Sequence, residues 1–77
     1  MALIEDFKSL SKDRQRPHGR VGCGYSVFNE GNETYLQLDT YGSSERRIPG
    51  KTSQSLQLDR RSAKKLKRLL EQTFPGI

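Results

Sequence analysis

Apolar and polar side chains alternate along TYLQLDTYG, and this alternation limits the fold more than any other feature of the sequence. One parity holds Leu36, Leu38 and Thr40, and the other holds Tyr35, Gln37, Asp39 and Tyr41. Successive side chains of a β-strand point to opposite faces of the sheet. The segment therefore predicts a strand with one apolar and one polar face, whose apolar face needs a covering layer.

A second strand is predicted just before it, in VGCGYSVFN. Val21, Cys23, Tyr25 and Val27 share one parity, which favours a core position for Cys23. Gly22 and Gly24 fall on the other face and indicate a bulge, a sharp bend or a close backbone approach. The intervening residues 30–33, EGNE, are typical of a hairpin turn, since Gly31 and Asn32 tolerate positive φ.

A third strand is predicted in TSQSLQL, after a loop over residues 42–51. Leu56 and Leu58 share one side of it with Gln54, and the other side holds Ser53, Ser55 and Gln57. Asp59 then offers a carboxylate that can cap a helix from about Arg60 to Thr73, ended by Pro75-Gly76. The simplest packing lays the apolar stripe of this helix on the leucine face of the sheet; the stripe comprises Ala63, Leu66, Leu69, Leu70 and Phe74.

The N-terminal segment has a different pattern. Leu3, Ile4, Phe7 and Leu10 have the spacing of one helical face, which predicts either a short helix docked on the body or on a partner, or a frayed arm. Residues 11–20 form a basic, polar linker. We expect an arm over residues 1–20 and a single α+β domain over residues 21–77, with a short antiparallel meander of three or four strands followed by one amphipathic helix.

The chain is too short and too polar for a self-contained enzyme with a deep pocket. It has 77 residues, of which 31% are hydrophobic, and Leu, Ile, Val and Phe together make up about 22%. A small chain buries only about 60% of its extended surface, so dimerisation or a partner is an expected source of further stability.

Catalytic, metal and cofactor sites are not expected. The single histidine, His18, lies in the linker and is predicted to be a surface residue, and Cys23 cannot form an intrachain disulfide. No apolar run approaches the roughly 18 residues that span a bilayer, and the N-terminus lacks a basic leader. We expect a soluble, reduced, cytoplasmic protein without a membrane anchor.

Positive charge is concentrated in one half of the sequence. Residues 1–42 have a net charge of −1, whereas residues 43–77 have nine basic and three acidic side chains and a net charge of +6. Arg60, Arg61 and Lys64 lie in the first turns of the predicted helix, where cations oppose the helix dipole. This pattern favours a surface for a polyanion or for an acidic partner, and its alternative is a solvated basic face.

The predicted loop and the polar sheet face extend this candidate surface. Arg46, Arg47 and Lys51 in the loop can contact phosphates. Tyr35 and Tyr41, about 20 Å apart at roughly 3.3 Å per strand residue, can stack on bases, and Gln37 between them can form hydrogen bonds with bases or sugars. In the alternative, the tyrosines pack against loops, the N-terminal helix or a second subunit.

The stretch YLQLDTYGSSERRIPGKTSQSLQLDRRSAKKLKRLL, residues 35–70, resembles the core of the positive-cofactor-four family of transcriptional coactivators. The resemblance implies a curved antiparallel sheet followed by one helix, dimerisation through the helices, and binding of single-stranded nucleic acid across the sheets. Tyr41 matches the family's aromatic residue at the strand end; Arg46, Arg47 and Lys51 match its basic loop. The sequence departs from the family at Asp39, where a basic residue is usual, and at TSQS. The chain also resembles short bacterial or phage proteins with a YLQLDTYGS…PGK.SQS core.

The sequence therefore predicts a small non-enzymatic module, a homodimer that binds nucleic acid and favours single strands. The alternative is a protein-interaction module, such as an accessory subunit, an antitoxin-like partner or an inhibitor, whose basic helix contacts an acidic protein.

Overall fold

The computed structural model describes residues 1–42 and 52–77. It contains four strands and one helix, in the order β1 (Ala2–Leu3), β2 (Cys23–Glu30), β3 (Glu33–Tyr41), β4 (Thr52–Leu58) and α1 (Arg60–Thr73). The strands form one sheet with the spatial order β1-β4-β3-β2. The predicted α+β class is confirmed.

The β2–β3 hairpin forms where the sequence predicts it. Gly31 and Asn32 connect the strands, and Gly31 adopts a φ of 61°. Glycine with positive φ at the first position of a two-residue turn matches the twist of antiparallel strands. The register pairs Val27 with Leu36 and Tyr25 with Leu38, so the apolar parities of the two strands share one face.

Strand β4 continues both faces of the sheet. Leu36 pairs with Leu58 and Leu38 with Leu56, whereas Gln37 pairs with Gln57 on the opposite side. The leucine side is called the apolar face below; the other side, the polar face, includes Phe28, Tyr35, Gln37, Asp39, Ser55 and Gln57.

The spacing of the N-terminal segment predicts either a short helix or a frayed arm, and no helix forms: Ala2 and Leu3 form the short strand β1, and residues 4–22 form neither helix nor strand. Ala2 and Leu3 pair in parallel with Leu56 and Gln57, and the Ile4 amide donates to the Gln57 carbonyl at 2.9 Å. A helix this short is unstable in isolation, whereas the outer edge of β4 offers hydrogen-bond partners. The sheet is consequently mixed and not purely antiparallel. Residues 8–22 are exposed throughout.

Helix α1 begins and ends as predicted. The Asp59 carboxylate accepts from the Ser62 amide at 2.9 Å, and the Ser62 hydroxyl accepts from the Asp59 amide at 3.0 Å, which makes a reciprocal capping box. Ser62 is fully buried. The Phe74 amide donates to the Leu70 carbonyl at the other end, and Gly76 follows with a φ of 90°.

The helix covers little of the apolar face. It contacts β3 and β4, and its residues Ala63, Leu66 and Leu70 border a cleft with Leu36 and Leu58. Leu58, 4% exposed, is the one buried hydrophobic residue among those the structure describes, whereas Leu56 is 43% exposed. The helix therefore packs at one end of the predicted leucine face and leaves the rest open.

The prediction that Cys23 is a core residue is wrong. Cys23 has the predicted parity, but its thiol is free and exposed because no described element covers the apolar face at β2. His18 is exposed, as predicted.

The accessible surface is large for a chain of this size. It amounts to 7381 Å² for 8.8 kDa. A compact monomer of this mass is expected to expose about 4,800 Å². The exposed residues 8–22 contribute to this excess of about 2,600 Å².

Candidate nucleic-acid interface

The polar face of the sheet brings together three of the predicted binding residues. Tyr35, Gln37 and Tyr41 all lie on β3, and each is half-buried instead of standing fully exposed. Their neighbours account for this burial, because side chains from β2 and β4 flank them in register. The face is therefore an ordered surface, with its polar groups already engaged with one another.

A hydrogen-bonded ladder crosses the centre of the polar face. The Asp39 carboxylate accepts hydrogen bonds from the Ser55 hydroxyl at 2.6 Å and from the side-chain amide of Gln37 at 3.0 Å. Gln57 in turn donates from its side-chain amide to the Gln37 side-chain oxygen at 2.8 Å. These two donors, Ser55 before Gln37, lower the pKa of Asp39 below its ordinary value. The centre of the face thus keeps a negative charge at neutral pH, together with two fixed amides.

An aromatic pair lies at the hairpin end of the polar face. The rings of Phe28 and Tyr35 stack with centroids 5.1 Å apart and planes inclined by 18°. The two residues are opposite each other in the β2–β3 register, where side chains of directly paired residues meet. Phe28 is absent from the sequence prediction, although it follows from the parity of Gly22 and Gly24 extended along β2. The pair forms a half-exposed aromatic platform, in which each ring has one face toward the other ring.

Tyr41 closes the other end of the polar face by lying over two glycines. A Cβ placed at Gly24 would be 2.5 Å from the Tyr41 hydroxyl, and one placed at Gly22 would be 3.6 Å from the ring. The Tyr41 amide also donates to the Gly22 carbonyl at 3.0 Å, and the β3–β4 register shifts between Thr40 and Tyr41. The glycines thus allow the close approach that the sequence indicates, and the approaching group is a side chain.

The basic side chains of helix α1 lie at two different places, a cleft at the hairpin end of the sheet and the N-terminal arm. Arg60, Lys64 and Lys67 border a cleft of about 700 Å³ at the hairpin end of the sheet, together with Tyr35 and Glu33. The helix packs against the apolar face, so these cations do not lie on the polar face. Tyr35 is the predicted site residue that the cleft shares with Arg60 and Lys64.

Lys65 forms an ion pair with the N-terminal arm, and the charge of Arg61 acts on the same carboxylate. The Lys65 ammonium lies 2.9 Å from the Asp6 carboxylate, and both side chains are exposed. The pKa of Asp6 is lowered, first by this hydrogen bond, then by the Phe7 amide, with a smaller effect from the charge of Arg61. The structure therefore separates Arg61 from Arg60 and Lys64, with which the sequence grouped it.

Three predicted binding residues, Arg46, Arg47 and Lys51, lie outside the described residues. In the ranges 1–42 and 52–77, no three His, Cys, Asp or Glu side chains come together as a group able to hold a metal ion. No helix in the same ranges has both the length and the apolar character needed to cross a membrane.

Comparisons with known proteins identify no relative. No protein-family model, no curated protein and no solved structure matches this chain.

Proposed function

We propose that this protein is a non-enzymatic, cytoplasmic nucleic-acid-binding module that acts as a homodimer and favours single strands. The observation that carries the proposal is the Phe28–Tyr35 platform beside a cleft bordered by three cations of α1. Exposed aromatic rings stack on unpaired bases, and lysine and arginine contact the phosphates that connect them.

The platform favours single strands because its partner must present a base face. Bases in a duplex are stacked on each other, so an aromatic side chain on a sheet surface can stack on them only where they are unpaired. Arg60, Lys64 and Lys67 border the same cleft as Tyr35 but lie on the helix side of the sheet, so this proposal needs a backbone that passes around the hairpin end after the stacked base.

The ladder around Asp39 supports contacts to bases rather than to phosphates. A carboxylate repels phosphate but accepts hydrogen bonds from the amino groups of bases. The amides of Gln37 and Gln57 next to it offer donors and acceptors of their own. Phosphate contacts then come from the helix and, in this proposal, from the loop arginines Arg46 and Arg47 and from Lys51.

The resemblance to the positive-cofactor-four family agrees with this proposal in the order of its elements. Strands β2, β3 and β4 form an antiparallel meander, and one helix follows directly. In that family single-stranded nucleic acid binds across the sheets, and the corresponding surface here is the polar face.

A salt titration with matched oligonucleotides tests the proposal. Affinity for a single strand should exceed that for a duplex of the same sequence and should fall linearly with salt on logarithmic axes. The double variant Arg46→Ala/Arg47→Ala should reduce that slope by about 1.4, because each phosphate contact on a single strand contributes roughly 0.7. Binding that is undetectable at micromolar protein, or unchanged between low and moderate salt, would contradict the proposal.

A second candidate is a protein-interaction module for an acidic partner. The Lys65–Asp6 ion pair supports it, because the helix already holds one carboxylate from elsewhere in the chain. In this case the cations of α1 would contact acidic side chains, and oligonucleotides would compete poorly with the partner. A neighbouring gene for a nuclease or toxin would favour this candidate.

A further inference from the structure

We propose that two copies of this chain join through the free edge of β2, antiparallel and about a two-fold axis, into one continuous eight-stranded sheet. The proposal specifies the interface of the homodimer suggested above. It is tested by mass and by amide exchange, so it and nucleic-acid binding can fail separately.

Strand β2 is the longest edge of the sheet without a pairing strand among the residues that the structure describes. It spans eight residues and is last in the order β1-β4-β3-β2, so no other described strand pairs with its outer side. Natural proteins protect such edges with lysine, proline, bulges or very short strands. Over residues 23–29, CGYSVFN, β2 has no charged residue and no proline, and its pairing with β3 is regular. At the other side of the sheet, the two residues of β1 pair with Leu56 and Gln57 of β4.

The hydrogen bonds between β2 and β3 show which backbone N–H and C=O groups of β2 point toward β3 and which point toward the open edge. The Gly22 carbonyl accepts from Tyr41 of β3, so β2 residues of the same parity direct their backbone groups inward. The alternate residues direct theirs away from β3, toward the open edge. They are Cys23, Tyr25, Val27 and Asn29.

A second copy pairs the outward N–H and C=O groups of all four residues when Ser26 lies opposite Ser26 of the partner subunit, on the two-fold axis. Tyr25 then lies opposite the partner's Val27, and Cys23 opposite the partner's Asn29, each pair occurring twice and exchanging two hydrogen bonds. Tyr25 and Val27 are 77% and 63% exposed, the highest values among the large hydrophobic residues of the sheet. An aromatic residue opposite a β-branched one is a favourable cross-strand pair.

Charge is compatible with this self-pairing. No charged side chain is opposed along the neutral stretch 23–29. Just outside it, Glu30 lies opposite the partner's Gly22, and diagonal to the partner's Arg20, which has the opposite charge. Like charges, which destabilise a strand pair when they are directly opposite, do not meet.

The pairing also extends the aromatic surface of the polar face. In this register Phe28 lies opposite the partner's Gly24, and the partner's Tyr41 ring covers that glycine. The dimer therefore contains a row of three aromatic residues, namely Tyr35, Phe28 and the partner's Tyr41. The two-fold axis generates a second, identical row. Each row contains one tyrosine that only a second copy supplies, so the binding surface is complete only in the dimer.

Amide hydrogen exchange of the unmodified protein tests the interface without any variant. Under conditions where sedimentation shows a dimer, the amides of Cys23, Tyr25, Val27 and Asn29 should be protected, as should the inward amide of Ser26. Exchange of the four outward amides at unprotected rates in a dimeric sample would overturn the proposal, as would a mass that stays monomeric up to high micromolar concentration.

A matched pair of substitutions provides a second test. Val27→Pro removes an outward N–H but keeps an apolar side chain and the β2–β3 ladder, whereas Val27→Thr keeps both the N–H and the shape. Val27→Pro should raise the dimer dissociation constant about 30-fold, since two hydrogen bonds are lost by symmetry, and Val27→Thr should leave it nearly unchanged. Phe74→Ser, on the 56% exposed end of the helix stripe, should also leave it unchanged. Dissociation by Phe74→Ser but not by Val27→Pro would assign the dimer to the helix face instead.

Discussion

Truncation of Leu58 to alanine should destabilise the fold about twice as much as the same truncation at Leu56. Both leucines lie on the apolar side of β4, two residues apart, but Leu58 is 4% exposed and Leu56 is 43% exposed. Leu→Ala removes three carbon atoms, worth about 2.4 kcal/mol when fully buried at about 0.8 kcal/mol each. A cavity contribution brings the expected loss at Leu58 to roughly 2.5–4 kcal/mol. Leu56, with 57% of its surface buried, should lose about 1.4 kcal/mol.

Urea unfolding followed by far-UV circular dichroism measures this difference. The wild type is expected to have roughly 4–12 kcal/mol of stability in total, so Leu58→Ala removes a large part of it. Protein concentration is kept equal in all samples, because the stability of a dimer depends on it. Equal losses at the two positions would refute the description, because they would mean that Leu56 is covered as fully as Leu58 in solution.

The remaining predictions concern the helix cap and the glycines of the polar face. Asp59→Ala should lower the melting temperature at pH 7, and Asp59→Asn, which can still cap but has no charge, should lower it less. The hydrogen bond from the Ser62 amide lowers the pKa of Asp59 in the folded protein. The carboxylate therefore contributes its full stabilisation above the pKa that it has in the unfolded chain, and this stabilisation is lost as pH falls through the folded pKa. The difference in melting temperature between wild type and Asp59→Ala should consequently shrink in acid. Gly24→Ala should displace the Tyr41 ring and shift its NMR signals, whereas Gly22→Ala, where a Cβ has ordinary contact distance, should not.

The regular elements were predictable because their periods are local properties of the sequence. The alternation around Leu36 and Leu38 places β3 and its two faces, and the Asp59 cap and the apolar stripe place α1. The hairpin turn at Gly31 follows from the same local chemistry.

The errors come from properties that depend on distant parts of the chain. Residues 2–10 have helical spacing but form no helix, because Ala2 and Leu3 pair with β4 and the residues after them adopt no regular structure. Parity places Cys23 on the apolar face but cannot tell whether anything covers that face. Likewise, the separation of Arg61 from Arg60 depends on where the helix docks, and a one-dimensional charge count does not contain that information.

The polar face was predictable as a set of residues but not as a surface. Sequence parity identifies Tyr35, Gln37 and Tyr41, and the structure adds Phe28 and the cross-strand hydrogen bonds to Asp39. Such contacts depend on the register between strands, which a single strand pattern does not fix.

The most direct test of the central claim compares the affinities of wild type, Tyr35→Ala and Phe74→Ala for a single-stranded oligonucleotide, with all three proteins as species of the same mass. Tyr35 belongs to the platform on the polar face, whereas Phe74 is an exposed aromatic residue at the end of α1, outside the polar face and outside the proposed β2 interface. We expect a loss of about 5- to 150-fold for Tyr35→Ala, the range expected when one stacked base loses its aromatic partner, and little change for Phe74→Ala. Equal affinities for wild type and Tyr35→Ala, or a larger loss for Phe74→Ala, would contradict binding on the polar face.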